Sequence, residues 1–113
     1  LIEGESYTVN VSVTNRSTKA GEPWEATLTL DIDAYITGVG YLISPTRDTY
    51  AFDAGETHTF SYTLEIPLGY GGLSGSIDAN VLDPNDNVIA SASEPINVIS
   101  VEIVYDATVI IGA

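Results

Sequence analysis

Along most of this chain an apolar residue stands at every second position, and the spacing of three and four that an amphipathic helix needs is never sustained. A chain patterned this way forms strands, each with one buried and one wet face. Tyr7, Val9, Val11 and Val13 share one phase, and Thr8, Asn10, Ser12 and Thr14 the other. Trp24, Ala26, Leu28, Leu30 and Ile32 alternate with Glu25, Thr27, Thr29, Asp31 and Asp33 in the same manner. After the turn at Asp53-Ala54-Gly55-Glu56, His58, Phe60, Tyr62, Leu64 and Ile66 alternate with Thr57, Thr59, Ser61, Thr63 and Glu65. The expected inward set is therefore Val9, Val11, Val13, Trp24, Leu28, Leu30, Phe60, Tyr62, Leu64, Ile77 and Val81.

Between these runs, Asn15 to Gly21 reads as a polar loop, Pro67 to Gly72 as a Gly-rich loop, and Asp83 to Asn87 as a tight hairpin joining Leu73–Leu82 to Val88–Ala92. From Ala34 to Phe52 the alternation loosens around Gly38, Gly40 and Pro45, which predicts one or two short strands with a sheet-switching bend. About seven or eight antiparallel strands joined by Gly, Pro, Asn and Asp turns predict an all-β fold, an immunoglobulin-like β-sandwich. A small closed barrel is the competing architecture. The 113 residues suffice for one core, burying about 60 to 70% of the unfolded surface. The expected division is a sandwich over residues 1–98 and an extended strand over 99–113.

Sixteen acidic residues against three basic ones give a net charge of −13, which repels nucleic acid and anionic lipid. No apolar run approaches the roughly 18 to 20 residues of a membrane-spanning helix, so neither nucleic acid nor membrane insertion is expected of this chain. There is no Cys, which excludes disulfides, thiolate metal sites and a cysteine nucleophile. The start at Leu1 with no Met anywhere points to a processed chain or an excised piece, and export is the simpler origin of the first.

Tyr7-Thr8-Val9-Asn10-Val11-Ser12-Val13-Thr14-Asn15, an Ala20-Gly21 loop before a strand, Ala54-Gly55-Glu56-Thr57 leading into another, and Asp83 to Asn87 in a terminal hairpin also carry a resemblance. Over residues 4–98 the chain resembles the bacterial and archaeal cell-adhesion-related Ig-like domains of the CARDB type and their relatives. The resemblance implies an accessory sandwich on an exported or surface protein, and it implies no catalytic residue.

Candidate chemistry is sparse. His58 is the single histidine, without a nucleophile elbow nearby, and reads as a strand-end surface residue. Asp31 with Asp33, or Glu102 with Asp106, supply carboxylate pairs of the kind glycoside hydrolysis uses, but residues two or four apart on a strand also make an ordinary solvated face. Asp83, Asn85, Asp86 and Asn87 offer the oxygen ligands of a weak calcium site, the minority reading beside a hairpin turn; no other cofactor is expected. Asn10 and Asn15 head glycosylation sequons and are both expected to be exposed. Trp24, Tyr35, Tyr41, Tyr50 and Tyr70 are the aromatics available to a sugar platform; Trp24 is expected in the core and Tyr70 at the surface.

The C-terminal segment is the most unusual feature. Ile99, Val101, Ile103, Tyr105, Ala107, Val109 and Ile111 hold one period-two phase. Their stretch would span about 43 Å as a single strand, twice a usual one. A hairpin near Tyr105-Asp106, a lead into a further domain, and an arm adding a strand to a neighbour's sheet all satisfy this pattern. As an arm, its interface residues are Ile99, Val101, Ile103, Tyr105, Val109 and Ile111. These readings point to a non-enzymatic structural or interaction module of an extracellular surface, appendage or virion protein. Its expected partners are protein, copies of itself or neighbouring domains. The alternative is a glycan-binding accessory domain of a secreted enzyme.

The charge leads to one prediction. Thirteen surplus negative charges on a small domain repel one another, so raising salt from low to molar concentration should raise the melting temperature by screening. A melting temperature that falls steadily with salt contradicts it.

Overall fold

A computed structural model of the chain describes residues 1–100 and 107–112, and its regular elements are all strands. In chain order they are β1 (Ser6–Thr14), β2 (Thr18–Lys19), β3 (Glu22–Pro23), β4 (Ala26–Ile36), β5 (Gly40–Phe52), β6 (Thr57–Glu65), β7 (Ser74–Leu82) and β8 (Val88–Asn97). Four of them form an antiparallel sheet in the order β5-β4-β7-β8, while β1 and β6 pair antiparallel as a second sheet. The remaining two make a small hairpin.

The two larger sheets face each other across the core. Of the inward residues of β4, Leu28, Leu30, Ile32, Ala34 and Ile36 are buried and Ala26, at its start, is half-buried. One cluster joins Leu28, Leu30 and Ile32 to Val13, Phe52, Phe60, Ala79 and Val81. The other joins Ala34 and Ile36 to Leu64, Ile66, Ile96 and Val98. Each fully buried aliphatic side chain of this kind contributes about 1.5 to 3 kcal/mol. All of the inward set read from the alternation lies in or against these clusters except Trp24. Thr27, Thr59 and Ser61 point to solvent, and Thr29 bonds the Thr49 hydroxyl on the outer face.

Three expectations are corrected. Residues 34–52 hold no sheet-switching bend: Tyr35 and Ile36 complete β4, the chain turns through Thr37–Val39, and β5 returns as one strand of 13 residues with bulged register near Ala34. The glycines and Pro45 that loosened the alternation mark the turn and an edge strand, where Pro and irregular pairing are tolerated. The loop after Asn15 contains the β2–β3 hairpin, turned by Ala20 and Gly21, both at positive φ. Trp24 is 46% exposed. The ladder of β4 begins only at Ala26 opposite Phe52, and the Trp24 backbone is bonded into the preceding loop through Ser17 and Asn15. Its ring lies beneath the Lys19 ammonium, 4.4 Å from the centroid.

At Gly75 the strands approach too closely for a side chain. A Cβ there would run into the Tyr35 carbonyl oxygen and the Ile36 Cα of the neighbouring strand, both backbone atoms that cannot swing aside. Gly75→Ala should therefore cost about 1 to 3 kcal/mol, measured by denaturant unfolding. A neutral result would mean that β4 and β7 can separate there at no cost.

Candidate functional site

The two long seams where the sheets meet are built differently. Between β5 and β6 the seam is closed by side chains. The Tyr62 hydroxyl donates to Asp48 at 2.5 Å, and the Tyr50 hydroxyl donates to Glu56, in the turn before β6, at 2.8 Å. His58 stacks on Tyr50 with centroids 3.7 Å apart and meets the Phe52 and Phe60 rings edge-on. The expectation of a surface histidine is thus corrected: His58 lies opposite Val13, in the inward phase, half-buried among aromatic rings. Burial and the Asp48 acceptor both push the Tyr62 hydroxyl well above its ordinary value, so it stays a donor across neutral pH.

The opposite seam, between β1 and β8, is open. Among the described residues β1 pairs only with β6 and β8 only with β7, so each presents an unpaired edge to the other. The gap forms a groove of two adjoining hollows of about 420 and 390 Å³. Its floor includes Leu30, Ala79 and Val81, and its walls carry Val11 of β1 with Ala90 and Ala92 of β8. In register, Ala90 lies opposite Val81 and Ala92 opposite Ala79, so both alanines face inward; yet both are exposed while their partners are buried. Only the far end is covered. There Leu1 to Glu3 run parallel to Asn97–Ile99, with backbone bonds from Ile99 to Leu1 and from Glu3 to Ile99. The chain then reverses through a turn closed by the bond from Glu5 to Ile2 and enters β1. The groove was not read from the sequence. Its signal was the run of small residues Ala90-Ser91-Ala92-Ser93, too small to fill the inward side of an edge strand.

The other candidate residues are dispersed. Asp31 and Asp33 lie on the outer face of β4, half-buried, with Asp31 3.5 Å from Arg47. Burial first, then Asp78 and Asp31, raise the Asp33 carboxyl above its ordinary value. Glu102 and Asp106 lie outside the described residues. Among the described residues no three His, Cys, Asp or Glu side chains converge as a metal cage requires. The Asp83 carboxylate instead builds its own turn, accepting from the Asn85 and Asn87 amides at 2.8 and 2.9 Å and from the Asn87 side chain. Asp86 sits at positive φ, 3.6 Å from Arg47.

Asn10 is exposed and accepts from the Ser61 hydroxyl. Asn15 is not exposed: it is 1% accessible, and its side-chain amide donates to the Trp24 and Asp53 carbonyls while its oxygen accepts from Ser17. The exposure expected of Asn15 as a residue of the polar loop is thus corrected. Its amide instead ties three segments together, and the nitrogen a glycan would need is held inside. Tyr70, expected to be exposed, is half-buried against the second core cluster. Trp24 and Tyr41 are exposed at opposite ends of the β4–β5 hairpin, roughly 30 Å apart along the strands. Tyr35 and Tyr50 are half-buried.

In the C-terminal segment Ile99 bridges to Ile2, which anchors it to this chain's own sandwich. Val101, Ile103 and Tyr105 lie outside the described residues. Residues 107–112 form no strand, and Val109, Ile110 and Ile111 are 87, 87 and 93% exposed. No known family model matches the chain. No curated protein matches it either.

The turn carboxylates set the acid response. Glu56 accepts from the Asp53 amide and the Tyr50 hydroxyl, which lower its pKa from 4.5. Asp83 is lowered from 3.8 chiefly by the Asn87 amide. A depressed folded pKa gives stability that is complete above the unfolded value and is lost as pH falls through the folded one. Asp33, raised, works the other way and is relieved by acid. Glu56→Gln should lower the melting temperature at neutral pH and flatten its decline below about pH 4.5. A melting profile parallel to wild type would show that Glu56 does not hold the turn.

Proposed function

We propose that this chain is a non-enzymatic structural and interaction module of an extracellular surface, appendage or virion protein, assembling by strand addition through its C-terminal segment. One observation carries the reading: an uncharged apolar segment, Ala107-Thr108-Val109-Ile110-Ile111-Gly112, stands exposed on a sandwich whose β1 and β8 edges are unpaired among the described residues. Exposed apolar stretches of this kind are aggregation hazards unless something takes them up, and β-augmentation satisfies both the side chains and the backbone.

The strand order supports an immunoglobulin-like assignment. A β1-β6 pair facing β5-β4-β7-β8 corresponds to strands B and E facing C′, C, F and G, and the described residues include no full first strand beside β1. The extracellular placement is drawn only from the resemblance of the turn and strand motifs of residues 4–98 to cell-adhesion-related domains. A non-enzymatic role is supported by the way the titratable groups are used: Glu56 and Asp83 build turns, and His58 packs in an aromatic stack. The glycan-binding alternative has less support, since Trp24 and Tyr41 stand far apart and Lys19 covers one Trp24 face.

Full-length protein should associate reversibly with rising concentration, more strongly in salt because the copies share a charge of −13. Val109→Asp should weaken association by about tenfold or more, and Thr108→Asp, in the opposite phase, far less. Light scattering that finds the full chain monomeric at high concentration in molar salt would overturn the reading.

A further inference from the structure

We infer that the open seam between β1 and β8 is the acceptor for residues 107–112 of a second copy of this chain. The assignment rests on the strand-addition reading and adds to it where the strand goes. Fit is the first argument. Strand residues Val9–Thr14 wall the groove on one side, with Arg16 and Ser17 of the following loop at its end, and Ile89–Glu94 wall it on the other; the two strand walls have six residues each, as does the donor segment, about 20 Å as a strand. Alternation sends Val109 and Ile111 to one face of that strand, where the small inward Ala90 and Ala92 leave room above Leu30 and Val81.

Edge chemistry is the second argument. β5, the opposite edge of the large sheet, carries Pro45, Arg47 and Asp48, residues that discourage edge-to-edge pairing. No charged residue or proline stands anywhere on β1, nor on β8 from Val88 to Ser93. Glu94 and Pro95 enter β8 only at the end of the groove, next to the stretch that Leu1 to Glu3 cover, so the two edges differ along the groove itself. Where this edge continues past β8, through Asn97 and Ile99, it already takes up an extended segment, Leu1 to Glu3. Alongside that segment Ile96 and Val98 are buried at 1 and 5%, whereas Ala90 and Ala92, with no other described strand beside them, are exposed. The donor must come from another copy because in this chain residues 107–112 are themselves exposed and so lie outside their own groove.

Sedimentation velocity on full-length variants tests the assignment. Ala90→Trp fills the groove from an exposed position, Val109→Asp with Ile111→Asp disables the donor, and Thr63→Trp on the outer face of β6 is the control. Wild type and control should form oligomers, and each disabled variant alone should associate about tenfold or more weakly. An equimolar mixture of the two disabled variants should yield a heterodimer and nothing larger, because one keeps a working donor and the other a working groove. That product also shows both variants to be folded. If the donor variant loses association while Ala90→Trp keeps it, strand addition stands and this acceptor is wrong. If wild type stays monomeric with the 107–112 amides protected from hydrogen exchange, and Ala90→Trp removes that protection, the seam holds the chain's own tail and the second copy is overturned. A monomer with those amides unprotected sinks both readings.

Discussion

The inner face of β4 is the surface against which the rest of the sandwich is registered. This strand pairs with β5 on one side and β7 on the other, and its inward residues from Leu28 to Ile36 are all buried. Because side chains alternate strictly, a slip of one residue would turn Asp31 and Asp33 into the core and expose Leu30 and Ile32. Two charged groups without partners would then be desolvated, so a single register is strongly preferred. The hairpin into β5 and the ladder to β7 inherit that register, and β8 inherits it from β7.

What β4 cannot supply is lateral cover. Four strands face two, so the smaller sheet reaches across the core only if the seams are filled by side chains or further strands. At the β5–β6 seam, large residues do the filling: Tyr50, Tyr62, His58 and Phe60 combine ring contact with hydrogen bonds to Asp48 and Glu56. At the β1–β8 seam the inward strand positions are valines and alanines, and Arg16, the long side chain that lines the hollow, stands in the loop beyond the end of β1. The core is closed on one flank and accessible on the other, an asymmetry of residue size more than of backbone.

These features were unequally legible in the sequence. Alternation in β1, β4, β6 and β7 named ten inward residues correctly, because burial of one face imposes a period that propensity cannot hide. It failed for Trp24, where the apolar phase continued two residues past the first rung of the ladder, and for Asn15, whose polarity suggested solvent. An amide surrounded by three backbone partners is satisfied inside, and those partners come from segments up to 38 residues away. The open seam was the hardest to read. It depends on which strands become neighbours, and only topology shows that Ala90 and Ala92 face the core and yet remain exposed. The C-terminal segment was conspicuous for the opposite reason: its alternation continues beyond what a sandwich can use.

Charge connects the two halves of the argument. A surplus of 13 negative charges makes random approach of two copies unfavourable over most of the surface, which works against edge-to-edge aggregation in a protein whose described regular elements are all strands. Repulsion of that kind is long-ranged but screened, falling off over about 8 Å at physiological salt. Burial of apolar surface acts only at contact. On the strand-addition proposal, the uncharged segment 107–112 would enter a groove whose β1 wall bears no charge and whose β8 wall bears only Glu94, so contact there would meet less repulsion than elsewhere. The acidity that keeps the other faces apart would then leave selectivity to the seam, where association would gain both a backbone ladder and a filled core.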